Sequence, residues 1–137
     1  MIDVQETLMY YQQHATCDRG HVACIILDEN KETILEHGYA HSIMTGETCD
    51  AHGHELVDGH CVRTIHAEQS AVARAACNGV RLYRSHVYVT KLPCKSCIRV
   101  LCEAGVQSIT VYTDSMNRYD ETVEYAKLCG IVLYVHK

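Results

Sequence analysis

The sequence predicts an α/β domain built on a mixed five-stranded sheet with helices on both faces, a three-layer α/β/α sandwich. Three observations lead there. Helical and strand periodicities alternate along the chain, glycines punctuate the ends of the helical runs, and the connections in the second half are short. Residues 3–15 carry Val4, Leu8, Tyr11 and Ala15 at helical spacing. Residues 21–28 and 32–39 have strand character around Asp28-Glu29-Asn30-Lys31, which predicts a hairpin. Residues 40–64 are polar, rich in Gly, His and Cys and without periodicity; a plain loop of that length is unusual, so something should tie it down. From His66 onward the pattern predicts helix 66–78, strand 85–90, helix 95–104, strand 107–113, helix 119–129 and strand 131–136. Gly79, Gly105 and Gly130 follow the three helices as C-caps. The brief strand-helix-strand links require parallel crossovers, which makes the sheet mixed. A chain of 137 residues is long enough for one core, so the expected organisation is a single domain over 1–137 with a Cys/His-rich insert at about 40–64.

Composition narrows the partners. The formal net charge is -5, which argues against a grip on a long nucleic acid, since that grip comes from surplus Lys and Arg. A small nucleotide remains compatible, because one local Arg and a few backbone N–H groups can hold a phosphate. No apolar run reaches the roughly 18 residues of a membrane span. The opening Met1-Ile2-Asp3-Val4-Gln5-Glu6 lacks the apolar stretch of a leader, so a cytoplasmic location is expected. Tyrosine is abundant while Phe and Trp are absent; tyrosines at core positions are the simplest expectation, with stacking surfaces the alternative.

Nine cysteines stand beside ten histidines. An odd cysteine count, an expected reducing compartment and a chain able to build its own core favour metal binding over a disulfide framework. Cys24, Cys77, Cys102 and Cys129 lie in apolar settings and are expected to be buried, inert thiols. Two motifs carry chemistry. His66-Ala67-Glu68 opens one predicted helix and Pro93-Cys94-Lys95-Ser96-Cys97 opens the next. Cys94 and Cys97, at i and i+3, share one side of a first turn, where free N–H groups and the helix dipole favour thiolate. One imidazole and two thiolates leave the fourth tetrahedral position of a zinc ion for water, as in catalytic sites. Glu68 then serves as proton carrier without ligating the metal. The plainer possibilities are an ordinary helix start for His66 and Glu68 and a structural zinc knuckle for the cysteine pair.

H-x-E followed by P-C-x-x-C is the known signature of zinc deaminases. With Asp58-Gly59-His60-Cys61-Val62-Arg63-Thr64-Ile65-His66-Ala67-Glu68 and Tyr88-Val89-Thr90 ahead of Pro93-Cys94, nearly the whole chain resembles the deoxycytidylate (dCMP) deaminases, particularly those of bacteria and phage. The resemblance implies a cytidine deaminase-like fold and zinc-dependent hydrolysis of dCMP to dUMP with release of ammonia. It also implies a homo-oligomer, dimer or hexamer, regulated by dCTP and dTTP. Members of that family often carry a second, structural zinc. Its place here corresponds to Cys17, Cys49, His54 and Cys61, with His52 or His60 as substitutes, and such an ion would order the 40–64 insert. Solvated histidines and free thiols are the alternative for this group.

The chain departs from the family where substrate is read. The family's Gly-Tyr-Asn-Gly appears as Gly38-Tyr39-Ala40-His41, so the asparagine that contacts the nucleoside is missing. His41 is expected to reach the sugar in its stead, and Arg19 and Arg63 are the candidates for phosphate. Two other functions stay open: a deaminase of another amino-heterocycle, whether nucleoside, base or modified nucleotide, and a non-catalytic zinc-stabilised nucleotide sensor. An intact Glu68 speaks against the sensor.

Overall fold

Hydrophobic alternation along one strand organises the whole molecule. In the computed structural model, which describes residues 2–15, 21–42, 56–57, 60–61, 64–112 and 119–136, strand β1 (Ala23–Leu27) is buried along its full length. Successive side chains of a strand point to opposite faces. Cys24 and Ile26 accordingly join one core cluster, while Ala23, Ile25 and Leu27 join the other. Each fully buried Ile or Leu contributes about 2 kcal/mol from removal of apolar surface from water.

Strand β2 (Ile34–Tyr39) returns antiparallel to β1, with Cys24 opposite Gly38, as the hairpin reading predicts. The Asp28 carboxylate closes the turn by accepting from the N–H groups of Glu32 and Thr33 at 2.7 and 3.2 Å. Short pairs follow: β3 (His41–Ser42) with β6 (Thr64–Ile65), and β4 (Leu56–Val57) with β5 (His60–Cys61). The 40–64 segment therefore contains two small ladders that its composition concealed, because two-residue strands are too short to show a period. Helix α2 (Ala67–Asn78), β7 (His86–Val89), α3 (Lys95–Glu103), β8 (Ser108–Tyr112), α4 (Tyr119–Leu128) and β9 (Val132–His136) complete the order that α1 (Val4–Gln12) begins. The main sheet runs β2-β1-β7-β8-β9, with β7, β8 and β9 parallel and β1 antiparallel to both of its neighbours. Gly79, Gly105 and Gly130 all adopt positive φ beyond their helices, as expected of C-caps.

Helices α2, α3 and α4 share one face of the sheet, and their Ala71, Leu101 and Ala126 sit in its core with Val87, Ile109 and Leu133. Helix α1 lies on the opposite face, where Leu8 packs with Ile25 and Tyr88. Its cover is partial: on β9, Val132 and Tyr134 are each 54% exposed. The expectation of tyrosines in the core is corrected here. Tyr88 is buried, but Tyr10, Tyr83 and Tyr134 are exposed, and Tyr11 and Tyr39 use their rings at the surface. Tyr11 stacks on His37 with centroids 4.1 Å apart, and the Arg74 guanidinium sits 4.8 Å over Tyr39. A hydroxyl that must stay hydrated or bonded keeps these rings at the boundary. Cys77 is likewise exposed rather than buried, since its place on α2 turns it away from the sheet, and Cys102 and Cys129 are half-buried; Cys24 alone of the four is fully buried.

The tightest contact between layers is at Gly38. A Cβ there would lie 2.4 Å from the Ala67 carbonyl oxygen, 2.4 Å from the Ala71 nitrogen and 2.9 Å from the Ala71 Cα, all backbone atoms that cannot swing aside. Helix α2 thus rests directly on the β2 backbone. Gly38→Ala is expected to destabilise the fold by about 3 kcal/mol, a drop of roughly 10 °C in thermal midpoint. An unchanged midpoint in a calorimetric scan would contradict the close approach.

Candidate active site

The site forms at the end of the sheet where β7 and β6 run out into helices. The Thr90 hydroxyl accepts from the Ala23 N–H at 3.1 Å, and the Thr90 N–H donates to the Ala23 carbonyl at 3.2 Å, so the exit of β7 is tied to the start of β1. Beside it, Ala40 N–H donates to the Val22 carbonyl at 2.9 Å, fixing the exit of β2. Pairing of β3 with β6 sets His41 opposite Ile65, one residue before His66.

His66 and Cys94 are the N-cap residues of α2 and α3, each in extended backbone conformation. Their carbonyls accept the first helical bonds, from Ser70 at 2.8 Å and Ile98 at 3.0 Å. The Gln69 side chain holds the entry to α2 by accepting the His66 N–H at 3.1 Å. Cys97 lies one turn into α3 and is fully buried. The two helix starts converge: His66 Nδ1 is 3.2 Å from Cys97 Sγ and 3.7 Å from Cys94 Sγ, and the three donor atoms lie within 4.8 Å of one another. Tetrahedral zinc, with bonds of about 2.05 Å to nitrogen and 2.3 Å to sulfur, separates an N and an S ligand by about 3.6 Å. The observed spacings bracket that value, so the donor set fits the ion the sequence predicts.

Electrostatics agree with that chemistry. The Cys97 thiol, hydrogen-bonded to Cys94, and the His66 imidazole hold Cys94 down to about 3, which makes it a thiolate. Cys97 is pushed well up by donating to Cys94 and by burial, and His66 is raised chiefly by its bond to Cys94. Shared protons hold the three donors together, and those are the protons a dication displaces when it binds. Glu68 is buried at 5% exposure, and burial raises its carboxyl above the ordinary range. It lies close enough to the cluster for the charges of His66 and Cys94 to act on it, yet stands outside the group of donors found among the described residues.

The structure brings together His66, Glu68, Cys94 and Cys97 as the sequence predicts. It places His41 half-buried, with its ring 5.3 Å from that of Tyr39, and turns Ala40 inward, where it offers no polar atom. Arg19 and Arg63 lie outside the described residues, as do Cys17, Cys49, His52 and His54; of Cys61 and His60 only the backbone in β5 is described. Sequence reasoning missed three supporting residues. Gln69 was legible in principle as a glutamine at the third position of a helix. Thr90 had no such signal, because its role depends on a contact with residue 23. Lys91, whose positive charge opposes protonation of His66, is marked only by lying next to the cysteine motif.

Thiolate and imidazole donors on the helix starts of a mixed α/β sheet form a three-donor cluster suited to zinc, with no fourth donor in the group found among the described residues. Residues 3–113 match the family described as cytidine and deoxycytidylate deaminase zinc-binding region, and the chain belongs to that family. It is 29% identical over 119 residues to ComE operon protein 2 of Bacillus subtilis (strain 168), a match covering 87% of this chain and 61% of the length of that relative. Its fold is that of dCMP deaminase from the cyanophage S-TIM5 in complex with dCMP and dUMP, with a TM-score of 0.79, 24% identity and coverage of 97% of this chain and 93% of that one. A diaminohydroxyphosphoribosylaminopyrimidine deaminase/5-amino-6-(5-phosphoribosylamino)uracil reductase from Thermotoga maritima shares the fold at a TM-score of 0.65 and 17% identity, over 96% of this chain and 34% of that one. The cytidine deaminase-like architecture expected from the sequence is thus the one observed. No helix among the described residues is long and apolar enough to cross a membrane.

Cys97→Ser is expected to lower bound zinc by about one equivalent per chain relative to the parent protein, measured by plasma mass spectrometry after gel filtration. Unchanged zinc would remove Cys97 from the donor set.

Proposed function

We propose that this chain catalyses zinc-dependent hydrolytic deamination of a cytosine nucleotide, dCMP to dUMP with release of ammonia. The observation that carries the reading is a buried carboxylate, Glu68, two residues from His66 and beside three convergent metal donors without being one of them. His66, Cys94 and Cys97 would hold the ion, which supplies Lewis acidity that makes water ionisable near neutral pH. Glu68 takes the proton of the attacking water and delivers it to the ring nitrogen beside the amidine carbon, then helps the departing amine leave as ammonia. Burial serves this role, because a carboxylate short of water holds a proton long enough to hand it on. Nucleotide as the substrate class draws support from the cyanophage relative, which binds dCMP and dUMP. His41 reaches the sugar, and Arg19 and Arg63 hold the phosphate. A second reading, deamination of another amino-heterocycle, is favoured by one observation: Ala40 is buried and apolar where the resembled family presents asparagine.

The domain spans 1–137, works in the cytoplasm as a homo-oligomer, dimer or hexamer, and carries a second, structural zinc on Cys17, Cys49, His54 and Cys61. The β4–β5 pairing supports that site by setting Cys61 across from Leu56, which follows His54 by two positions. Neither a long nucleic acid nor a membrane is a partner.

Glu68→Gln is expected to retain zinc while ammonia release from dCMP falls by at least about 100-fold. Wild-type activity in that variant would remove Glu68 from the mechanism. Assayed over dCMP, dCTP, CMP, deoxycytidine, cytosine, adenosine and guanine, the parent chain is expected to prefer dCMP; activity confined to substrates without phosphate would select the second reading. Metal analysis of the parent chain is expected to give two zinc ions, falling to one in Cys61→Ser, and a well-folded preparation with one would exclude the structural site.

A further inference from the structure

Two thiols outside the zinc cluster face each other across the seam between α3 and α4. Cys102, in the last turn of α3, donates its Sγ hydrogen to the Cys129 carbonyl at 2.9 Å. That bond brings the Cys102 sulfur against the residue that carries the second thiol. Cys129 directly follows α4, and its N–H is held by the carbonyls of Tyr125 and Ala126 at 3.2 and 3.0 Å, so the backbone that presents it is fixed. Both residues pack against the same core cluster yet remain half-buried, open to a small reagent. Neither thiol belongs to the metal cluster found among the described residues. Cys24 is sealed in the core, and Cys77 stands alone on the surface.

We propose that Cys102 and Cys129 form a reversible disulfide that staples α3 to the end of α4, made by exchange with a small-molecule disulfide of the glutathione type. Cys129 is the first sulfur to react, because burial raises the Cys102 thiol and its hydrogen is engaged by the Cys129 carbonyl. The Cys129 thiolate attacks one sulfur of the small disulfide, forming a mixed disulfide and expelling one small thiol. Cys102 then loses its proton, and its sulfur attacks Cys129 Sγ, expelling the second small thiol. In total the two protein thiols give up two electrons and two protons, and the small disulfide is reduced to two thiols. Closing the bond brings the two sulfurs to about 2.05 Å, with the two Cβ atoms about 3.8 Å apart. The staple acts on the helix that carries Cys94 and Cys97 at its other end, and it locks the chain between residues 102 and 129.

The test uses the zinc-loaded protein, in which the metal donors are protected. It is incubated with glutathione disulfide or with dithiothreitol, alkylated and digested with trypsin without reduction. Residues 100–118 and 128–137 form tryptic peptides that each hold one cysteine, so the assignment is unambiguous. The expected result is a linked 100–118/128–137 peptide in the oxidised sample alone, with unchanged zinc and a thermal midpoint raised by about 5 °C or more. Cys102→Ser is expected to abolish both the link and the thermal shift while Cys129 becomes glutathionylated. Absence of the linked peptide, linkage of either cysteine to a different one, or a link with no thermal shift overturns the proposal.

Discussion

Three soft donors from two segments, 28 residues apart in sequence, must meet within a few ångströms, and the rest of the architecture follows from that requirement. A loop holds thiolates and an imidazole at 3.2 and 3.7 Å only at a larger cost in conformational freedom. Two helix starts can, because the first residue of each is fixed by the carbonyl bond that begins the helix, and because the dipoles there favour negative sulfur. The sheet supplies the spacing between the helices. Strand β7 delivers Cys94 a few residues after Val89, while the small β3–β6 ladder delivers His66 directly after Ile65. Zinc chemistry in this fold is therefore a property of strand ends as much as of the donors.

Much of this was readable from the residues alone, for identifiable reasons. Long elements with clear periods were placed to within about two residues, apart from α1 at its C-terminal end, since β1, β7 and β8 alternate or fill both faces and the following helices end on glycine. The metal donors were visible because a ligand pair at i and i+3 is local information, and so was Glu68, two residues from its histidine. Contacts with large sequence separation were hidden. Nothing around Thr90 announces its bond to Ala23, and nothing around Gly38 announces that Ala67 and Ala71 would lie against it. The two ladders in the 40–64 segment escaped because two residues cannot display a pattern. The tyrosines misled for another reason: hydropathy counts the ring, while burial is decided by whether the hydroxyl finds a partner.

The two faces of the sheet divide labour. The side bearing α2, α3 and α4 is densely filled with Ala, Val, Ile and Leu and carries the donors, whereas the side bearing α1 grades outward into tyrosine and histidine rings. Rigidity is concentrated where the ligands must not drift. The Cys102–Cys129 seam joins two helices of the rigid face at the end away from the metal, so chemistry there can alter stiffness without touching a donor.

With no side chain between α2 and β2 at Gly38, the height of Glu68 above the sheet is set by contact of main chain on main chain. Resizing a neighbouring residue cannot raise or lower that carboxylate in small steps. A lineage that explores new amino-heterocycles on this scaffold must therefore do so through other positions, such as the exit of β2 at residues 40 and 41, while the Glu68 carboxylate stays at one depth. Directed-evolution libraries aimed at new substrates belong at that strand exit, not on the helix.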